Sequence, residues 1–478
     1  MSTLNLTLLT DLYELTMMQG YFKNHNQDVV VFDAFYRSNP CDGGYSVCAG
    51  LAQVIDYIEN LHFDTDDINY LRSLKIFDED FLEYLSNFKF SGDIYAVPEG
   101  SLIFPREPLV KVVAPIMEAQ LIETAILNIV NHQCLIATKA ARVCYAAKGD
   151  NVMEFGLRRA QGPDSGTYGA RAAVIGNVLA GQMFHVPVLG THAHSWIMSF
   201  PDEYTAFRKY AELYPSACIL LVDTYDTLKS GIPNAIRVFT EMRDAGIPLT
   251  YYGIRMDSGD LAYLSKQVRK MLDEAGFPDA VISASNNLDE YLIESLKLQG
   301  AAISSWGVGT NLITSKDNPA FGGVYKLAAI RTADGSFQPK IKLSENVEKV
   351  TNPGNKTFYR VYDKKTGKIK ADLICLYDET FDESEDLKLF DPNAPWKKTR
   401  LPGGSYTLRE MLIPVIKAGK TIYTSPGVME IREICNHEKD TIWDETKRFV
   451  NPQEIYVDLS QKLYDMKTAL LNEMSMDS

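Results

Sequence analysis

The sequence predicts an α/β protein: a central irregular β/α barrel of parallel strands with a second, α+β domain built from both flanks. Three observations carry the prediction. Between about residues 150 and 330, short apolar, β-rich runs alternate with amphipathic helices, the succession that makes a parallel sheet. Nearly every run is followed by polar or charged residues, as in a barrel that gathers its site from all strand ends; a doubly wound sheet would concentrate them at one switch point. Neither flank shows this alternation. The division that follows is 1–140 as the N-terminal part of the flanking domain, 141–340 as the barrel, and 341–478 as the C-terminal part packing with the first.

Taken in order, "MSTLNLTLLTDLYELT" opens a helix with a stripe of Leu12, Leu15, Met18 and Phe22. It lacks a basic stretch and carries Asp11 and Glu14, so it does not read as a signal peptide. "DIYAVPEGSLIFPREPLVKVVAP" is β-like and Pro-interrupted, and residues 119–148 are apolar almost all round, as a long buried helix is. The central runs are "NVMEF", "VPVLG", "ACILLVD", "LTYYGIR", "AVISAS", "AAISSWG" and "GVYKLAAI". Among the helices between them, "IPNAIRVFTEMRDAG" has Pro233 in its first turn and Gly246 past its end. "SGDLAYLSKQVRKMLDEAG" offers Ser258 as N-cap, Asp260 in the positive first turn and Gly276 as terminator. Farther on, "KTFYRVYDKKTGKIKADLICLYDE" reads as a hairpin turning at Lys365-Thr366-Gly367.

Composition narrows the function. Acids outnumber bases by 62 to 48, which argues against nucleic acid as a partner, since polyanion binding needs a surplus of Lys and Arg. No run is long and apolar enough to span a bilayer, which points to a cytoplasmic protein without a membrane partner. The seven cysteines are scattered and never in C-x-x-C spacing, against both a disulfide framework and a zinc site.

The residues after the central runs describe a ligand. Arg158 and Arg159 in one cluster, Arg255 in another, and the small-residue loop Gly307-Val308-Gly309-Thr310 can meet phosphate oxygens, while Asp257 and Asp260 suit sugar hydroxyls or Mg²⁺. Together they fit a phosphosugar. Asp260 reads better as helix N-terminal electrostatics than as a ligand. "GTHAHSW" places His192 and His194 two apart after a strand, the way a metal-dependent barrel hydrolase begins its site. The other five histidines lie off the strand ends, so one imidazole acting as nucleophile or acid/base beside phosphate-binding groups fits better, with His192 left as packing or capping.

The ordered motifs "LLTDLYELTMMQGYF", "VPEGSLIFPREPLVKV", "FGLRRAQGPDSG", "GTHAHSW", "LLVDTYDTLKSG", "IRMDSGDL", "SNNLDE", "WGVGTNL" and "FGGVYKL" resemble the nicotinate phosphoribosyltransferases from about residue 7 to 330, with "KLSENVEKVTNPG" extending the likeness. The resemblance implies a type II phosphoribosyltransferase fold acting as a homodimer with shared active sites. It implies transfer from 5-phosphoribosyl 1-pyrophosphate to nicotinate, coupled to ATP hydrolysis, in NAD synthesis. Mg²⁺ would arrive through substrate phosphates rather than a protein metal site. His194 would be the histidine phosphorylated by ATP; Tyr13, Phe155, Thr191 and Arg255 would serve nicotinate. Arg158, Arg159, Asp257, Gly309, Thr310, Gly322 and Gly323 would serve the phosphoribosyl group and phosphates. Tyr13 and Phe155 also have packing readings, as interface and barrel core. One departure stands out: "YRSNPCDGG" at 36–44 lacks the second arginine and the phenylalanine of the family's usual run, which leaves that loop out of the site. A nicotinamide phosphoribosyltransferase is the nearest alternative, followed by a metal-dependent β/α-barrel hydrolase and a non-catalytic scaffold.

Overall fold

The computed structural model describes residues 5–344, 349–392 and 394–476, so part of the "KLSENVEKVTNPG" segment, residues 345–348, lies outside the described residues. The chain forms two compact units, one of residues 1–135 with 320–478 and one of 136–319. Among the described residues no helix is long and apolar enough to cross a membrane.

The two-segment unit is organised by a seven-stranded antiparallel sheet. Its strands run in the order Phe337–Pro339, Gly323–Arg331, Val29–Tyr36, Val110–Pro115, Asp93–Ala96, Ile413–Lys417 and Lys420–Thr421. Three valines followed by aromatic residues, buried almost without a break, make Val29–Tyr36 a central strand, and Phe32 stacks on Tyr325 across the sheet with ring centroids 4.6 Å apart. "GVYKLAAI", counted above among the central runs, therefore belongs here: it pairs antiparallel with Val29–Tyr36. Apolar content alone does not tell a strand which sheet to join, because long-range pairing decides it.

A four-stranded sheet in the same unit contains the expected hairpin, Lys356–Asp363 with Ile369–Leu376. Its turn is fixed by Asp363, whose Oδ1 accepts from the N–H groups of Lys365 and Thr366, and by Gly367 at φ 70°. On the hairpin Arg360 is fully buried, donating to Asp372 at 2.7 Å and to Glu438 at 3.2 Å, with its guanidinium 5.0 Å from the Phe104 ring. The opening helix spans Leu12–Lys23 and buries Leu15 and Met18, but Leu12 is 53% exposed, so the stripe begins one turn later than the pattern suggested. The buried Glu14 carboxylate accepts from Asp11 N–H, Thr124 N–H and the Thr124 hydroxyl, fixing the helix start to that of Glu123–Ala147.

The other unit holds five parallel strands in the order Asn151–Glu154, Ser305–Val308, Val281–Ala284, Tyr252–Met256 and Cys218–Leu221. The ladder does not close: Asn151–Glu154 and Cys218–Leu221 are its two edges. "VPVLG" forms no full strand. Pro187 has no N–H to give, and the run contributes only a parallel bridge between Val188 and Gly176. Amphipathic helices Ile232–Asp244, Leu261–Glu274 and Glu290–Leu298 follow their strands. At the second of these the N-cap is Asp260, accepting from Tyr263 N–H at 3.0 Å, rather than Ser258, whose hydroxyl turns to Asp223. Within this unit Glu290, at the start of its helix, is fully buried and meets Lys139 at 2.7 Å and Arg142 at 2.8 Å.

Removing one partner from a buried ion pair strands the other charge, at a cost of about 3–5 kcal/mol. Arg360→Ala is accordingly expected to lower the urea midpoint of the unit that contains it. Substituting Arg360, Asp372 and Glu438 together by apolar residues is expected to cost less than the single change.

Candidate active site

Parallel strands point the same way, so the residues that follow them meet at one edge of the sheet. There the 136–319 unit encloses a cavity of about 730 Å³. Phe155, Arg158, Arg159, Thr191, Arg255, Asp257, Gly309 and Thr310, eight residues singled out from sequence, all line it.

Several are held by a definite neighbour. Arg255 is the penultimate residue of Tyr252–Met256, and its Nη1 donates to the Thr191 hydroxyl and, at 3.4 Å, to the His192 carbonyl. Burial pushes the Arg255 pKa down and the Asp257 and Asp223 carboxylates pull it up, so it keeps its charge with Nε unpaired, a donor held ready for an anion. The same guanidinium lies 5.8 Å from the Phe155 ring. Phe155 can lie there because residue 307 is glycine: a Cβ at that position would come within 2.5 Å of the ring. On another wall Arg159 Nη1 donates to Thr310 Oγ1 at 2.7 Å, joining the arginine turn to the small-residue loop. Asp257 Oδ1 accepts from the Ser285 hydroxyl. Asn286 and Asn287, also lining the cavity, hold left-handed φ values of 93° and 48°, which asparagine tolerates better than most residues.

The two histidines separate cleanly. His194 opens the five-residue helix His194–Met198 and is half-exposed. Its Nδ1 lies 3.0 Å from Thr224 Oγ1, and its Nε2 faces two carboxylates, Asp257 Oδ2 at 3.9 Å and Asp223 Oδ1 at 4.0 Å. Asp223 is fixed in turn by Asp257 N–H at 2.8 Å and Ser258 Oγ at 2.6 Å. His192 is buried; its Nε2 accepts from Leu221 N–H at 3.2 Å, which places its proton on Nδ1, and its ring meets Tyr210 edge-on at 4.6 Å. Burial first, then the Arg255 and His194 charges, push its pKa down to about 4, so it stays neutral. It lines the cavity wall, with its Nε2 spent on the Leu221 N–H. Among the described residues no three His, Cys, Asp or Glu side chains gather at metal-binding spacing.

Three singled-out residues fall in the two-segment unit. Tyr13 is 45% exposed on its helix. Gly322 holds φ 74° with open space where a side chain would project, whereas Gly323 spends its N–H on Asn131 Oδ1 at 3.0 Å. Sequence reasoning did not assign roles to Asp223, Thr224 or Ser285. Asp223 and Ser285 directly follow a buried apolar run and Thr224 follows Asp223, and that position was the available signal.

The sequence matches family profiles described as nicotinate phosphoribosyltransferase (NAPRTase) N-terminal domain over residues 8–131, nicotinate phosphoribosyltransferase (NAPRTase) family over 151–367 and nicotinate phosphoribosyltransferase C-terminal domain over 355–467. It is 45% identical to the nicotinate phosphoribosyltransferase of Bacillus subtilis, covering 98% of this chain and 96% of that protein. It is 31% identical to the human protein of the same description, covering 97% and 96%. In structure it is similar to human nicotinic acid phosphoribosyltransferase, with a TM-score of 0.83, 28% identity, and 97% of this chain and 100% of that one covered. A nicotinate-nucleotide pyrophosphorylase from Pyrococcus furiosus shares the fold at a TM-score of 0.68 and 21% identity, covering 92% and 97%.

The depressed His192 pKa has a consequence for pH. Its ordinary value is 6.5 and its folded value about 4, so as pH falls through that window the unfolded chain binds a proton that the folded chain refuses. This residue's contribution to stability is therefore lost between those values on acidification. The expected NMR result is a His192 ring that keeps its neutral chemical shifts from pH 8 to 5.

Proposed function

The chain belongs to the nicotinate phosphoribosyltransferase family, and from that premise we infer that it joins nicotinate to 5-phosphoribosyl 1-pyrophosphate, giving nicotinate mononucleotide and pyrophosphate, with ATP as co-substrate. One observation carries the reading: three arginines, an aspartate and a small-residue loop converge on one cavity, beside a histidine set between two carboxylates. Departure of pyrophosphate leaves positive charge on the ribosyl carbon and negative charge on the leaving group. A cavity that fixes both charged ends while holding the pyridine nitrogen in line lowers that barrier.

Roles follow from position. The spare Arg255 donor meets the nicotinate carboxylate, with Thr191 holding the guanidinium, and Phe155 offers its ring face to the pyridine. Arg158, Arg159, Gly309 and Thr310 receive phosphate, Asp257 a ribose hydroxyl, and Gly322 is kept as a phosphate contact. His194 takes the γ-phosphoryl group: the Nε2 lone pair attacks phosphorus, the bond to the bridging oxygen breaks, and ADP leaves. The attack needs the tautomer with the proton on Nδ1, where Thr224 Oγ1 lies within hydrogen-bond distance to accept it, leaving the Nε2 lone pair on the side of Asp223 and Asp257. Water later returns the phosphoryl group as phosphate. Mg²⁺ would come with the substrate phosphates, neutralising their charge, and the carboxylate oxygens of Asp223 and Asp257 are donors of the hard type it prefers.

The open five-strand ladder and the Gly176–Val188 bridge are read as an irregular barrel with incomplete hydrogen bonding. A homodimer in which Tyr13 of one copy reaches the other's site suits the exposure of that ring. Cysteines that are not joined in disulfides suit the reducing cytoplasm.

Turnover of nicotinate against nicotinamide, with and without ATP, tests the function; nicotinate is expected to be preferred and ATP to stimulate. Comparable turnover of nicotinamide would overturn the assignment. His194→Ala is expected to abolish both transfer of label from the ATP γ-phosphate to protein and the stimulation by ATP. Arg255→Gln loses a charge-assisted hydrogen bond of about 1.5–3 kcal/mol, so the KM for nicotinate is expected to rise roughly 10- to 100-fold.

A further inference from the structure

The cavity for these anions contains a side chain that none of the roles above uses. Glu154 is the last residue of Asn151–Glu154, lines the cavity and is only 6% exposed. One carboxyl oxygen, Oε1, accepts from Gly156 N–H, while Oε2 is buried with no hydrogen-bond partner. Substituting alanine for Gly156 would push a Cβ to within 2.5 Å of both Oε1 and Ile313, so the backbone turn and the carboxyl are fitted to each other.

A buried acid at this place is anomalous for a site that takes carboxylates and phosphates. An ionised Glu154 would repel every ligand the cavity is shaped for, and no cation pairs with it. The strand Ser305–Val308 beside it and the short helix Thr310–Ile313 carry no ionisable side chain. The charged or titratable groups facing the cavity are Arg158 and Arg159 on the following turn, with Arg255, Asp257 and His192. Orphaned buried oxygens are costly, and a carboxyl can relieve that cost by carrying a proton and donating it.

We propose that Glu154 is a substrate-positioning residue that works as the neutral acid: Oε2 bears the proton and donates it to an anionic oxygen of the bound substrate, either the nicotinate carboxylate or a phosphate of 5-phosphoribosyl 1-pyrophosphate. Burial agrees, pushing the Glu154 pKa up to about 7 against the lowering effect of the Gly156 N–H. Above that pH the free protein holds Glu154 ionised, and an arriving anion favours its protonation through like-charge repulsion. Ligand binding then takes up one proton from solvent, and affinity falls up to tenfold per pH unit.

The inference rests on the proposed function, and its test separates the two. Nicotinate and 5-phosphoribosyl 1-pyrophosphate are titrated separately by calorimetry from pH 6 to 9, in buffers of differing ionisation enthalpy. For the wild-type protein, proton uptake approaching one and a tenfold loss of affinity per unit above pH 7 are expected with the ligand that meets Glu154, which identifies its source. Glu154→Gln keeps a donor that cannot titrate, so that uptake is expected to vanish and its pH profile to flatten. Glu154→Ala, which has neither donor nor charge, is expected to bind that ligand more weakly than Glu154→Gln at every pH. Parallel wild-type and Glu154→Gln profiles for both ligands would overturn the inference and leave the function standing; failure of the wild-type protein to bind either ligand would overturn both. A measurement without variants is infrared difference spectroscopy at pH 8, where binding is expected to raise a protonated-carboxyl C=O band, and its absence would overturn the proposal.

Discussion

Shared strand direction is the constraint on which the site depends. Five short parallel strands send Glu154, Asp223, Asp257, Ser285 and Gly309, residues far apart in the chain, to one edge of one sheet. None of these strands exceeds five residues. Their hydrogen bonds alone would be a weak scaffold, and their stability comes from burial on both faces: Leu220, Leu221, Ile254, Met256, Ile282, Ala284, Trp306 and Val308 are all almost wholly shielded from solvent. The chemistry sits where that apolar ladder stops and backbone groups must find other partners.

What turns strand ends into a site is the linkage among them. Asp223 ties its own loop to the next strand's by accepting from Asp257 N–H and Ser258, and Asp257 continues the chain to Ser285. Thr191 and the His192 carbonyl hold Arg255, while Leu221 N–H holds His192. Positions are thus set by hydrogen bonds between neighbouring loops rather than by any one loop's conformation, which gives preorganisation without a rigid single element. The same arrangement gives two histidines, two positions apart, different surroundings: His192 is buried against Tyr210 and holds Leu221 N–H, while His194 is half-exposed beside Thr224 with its Nε2 facing two carboxylates.

Charge is managed by depth. At the cavity Arg255 keeps its Nε donor unpaired, whereas Lys139, Arg142 and Arg360 are buried and matched to carboxylates. Glu154 fits neither class, being buried, acidic and unmatched, and a proton resolves that conflict where no cation does.

Much of this was legible in the linear sequence. The run-then-polar rhythm located the strand ends, and local chemistry located the helices and the Lys365–Gly367 turn, because caps, glycines and periodicity act over a few residues. Arg255, Thr310 and Asp257 could be picked out for the same reason: each directly follows a recognisable run. The sequence could not decide that "GVYKLAAI" leaves the central sheet for Val29–Tyr36, that "VPVLG" shrinks to a bridge, or that the ladder stays open at its edges. Nor could it show which partners hold His192 and His194, show Gly323 spending its N–H on Asn131, or reveal that Glu154 Oε2 has no hydrogen-bond partner. Each of those outcomes turns on which residue distant in sequence lies within about 3 Å, a matter of long-range packing and not of local propensity.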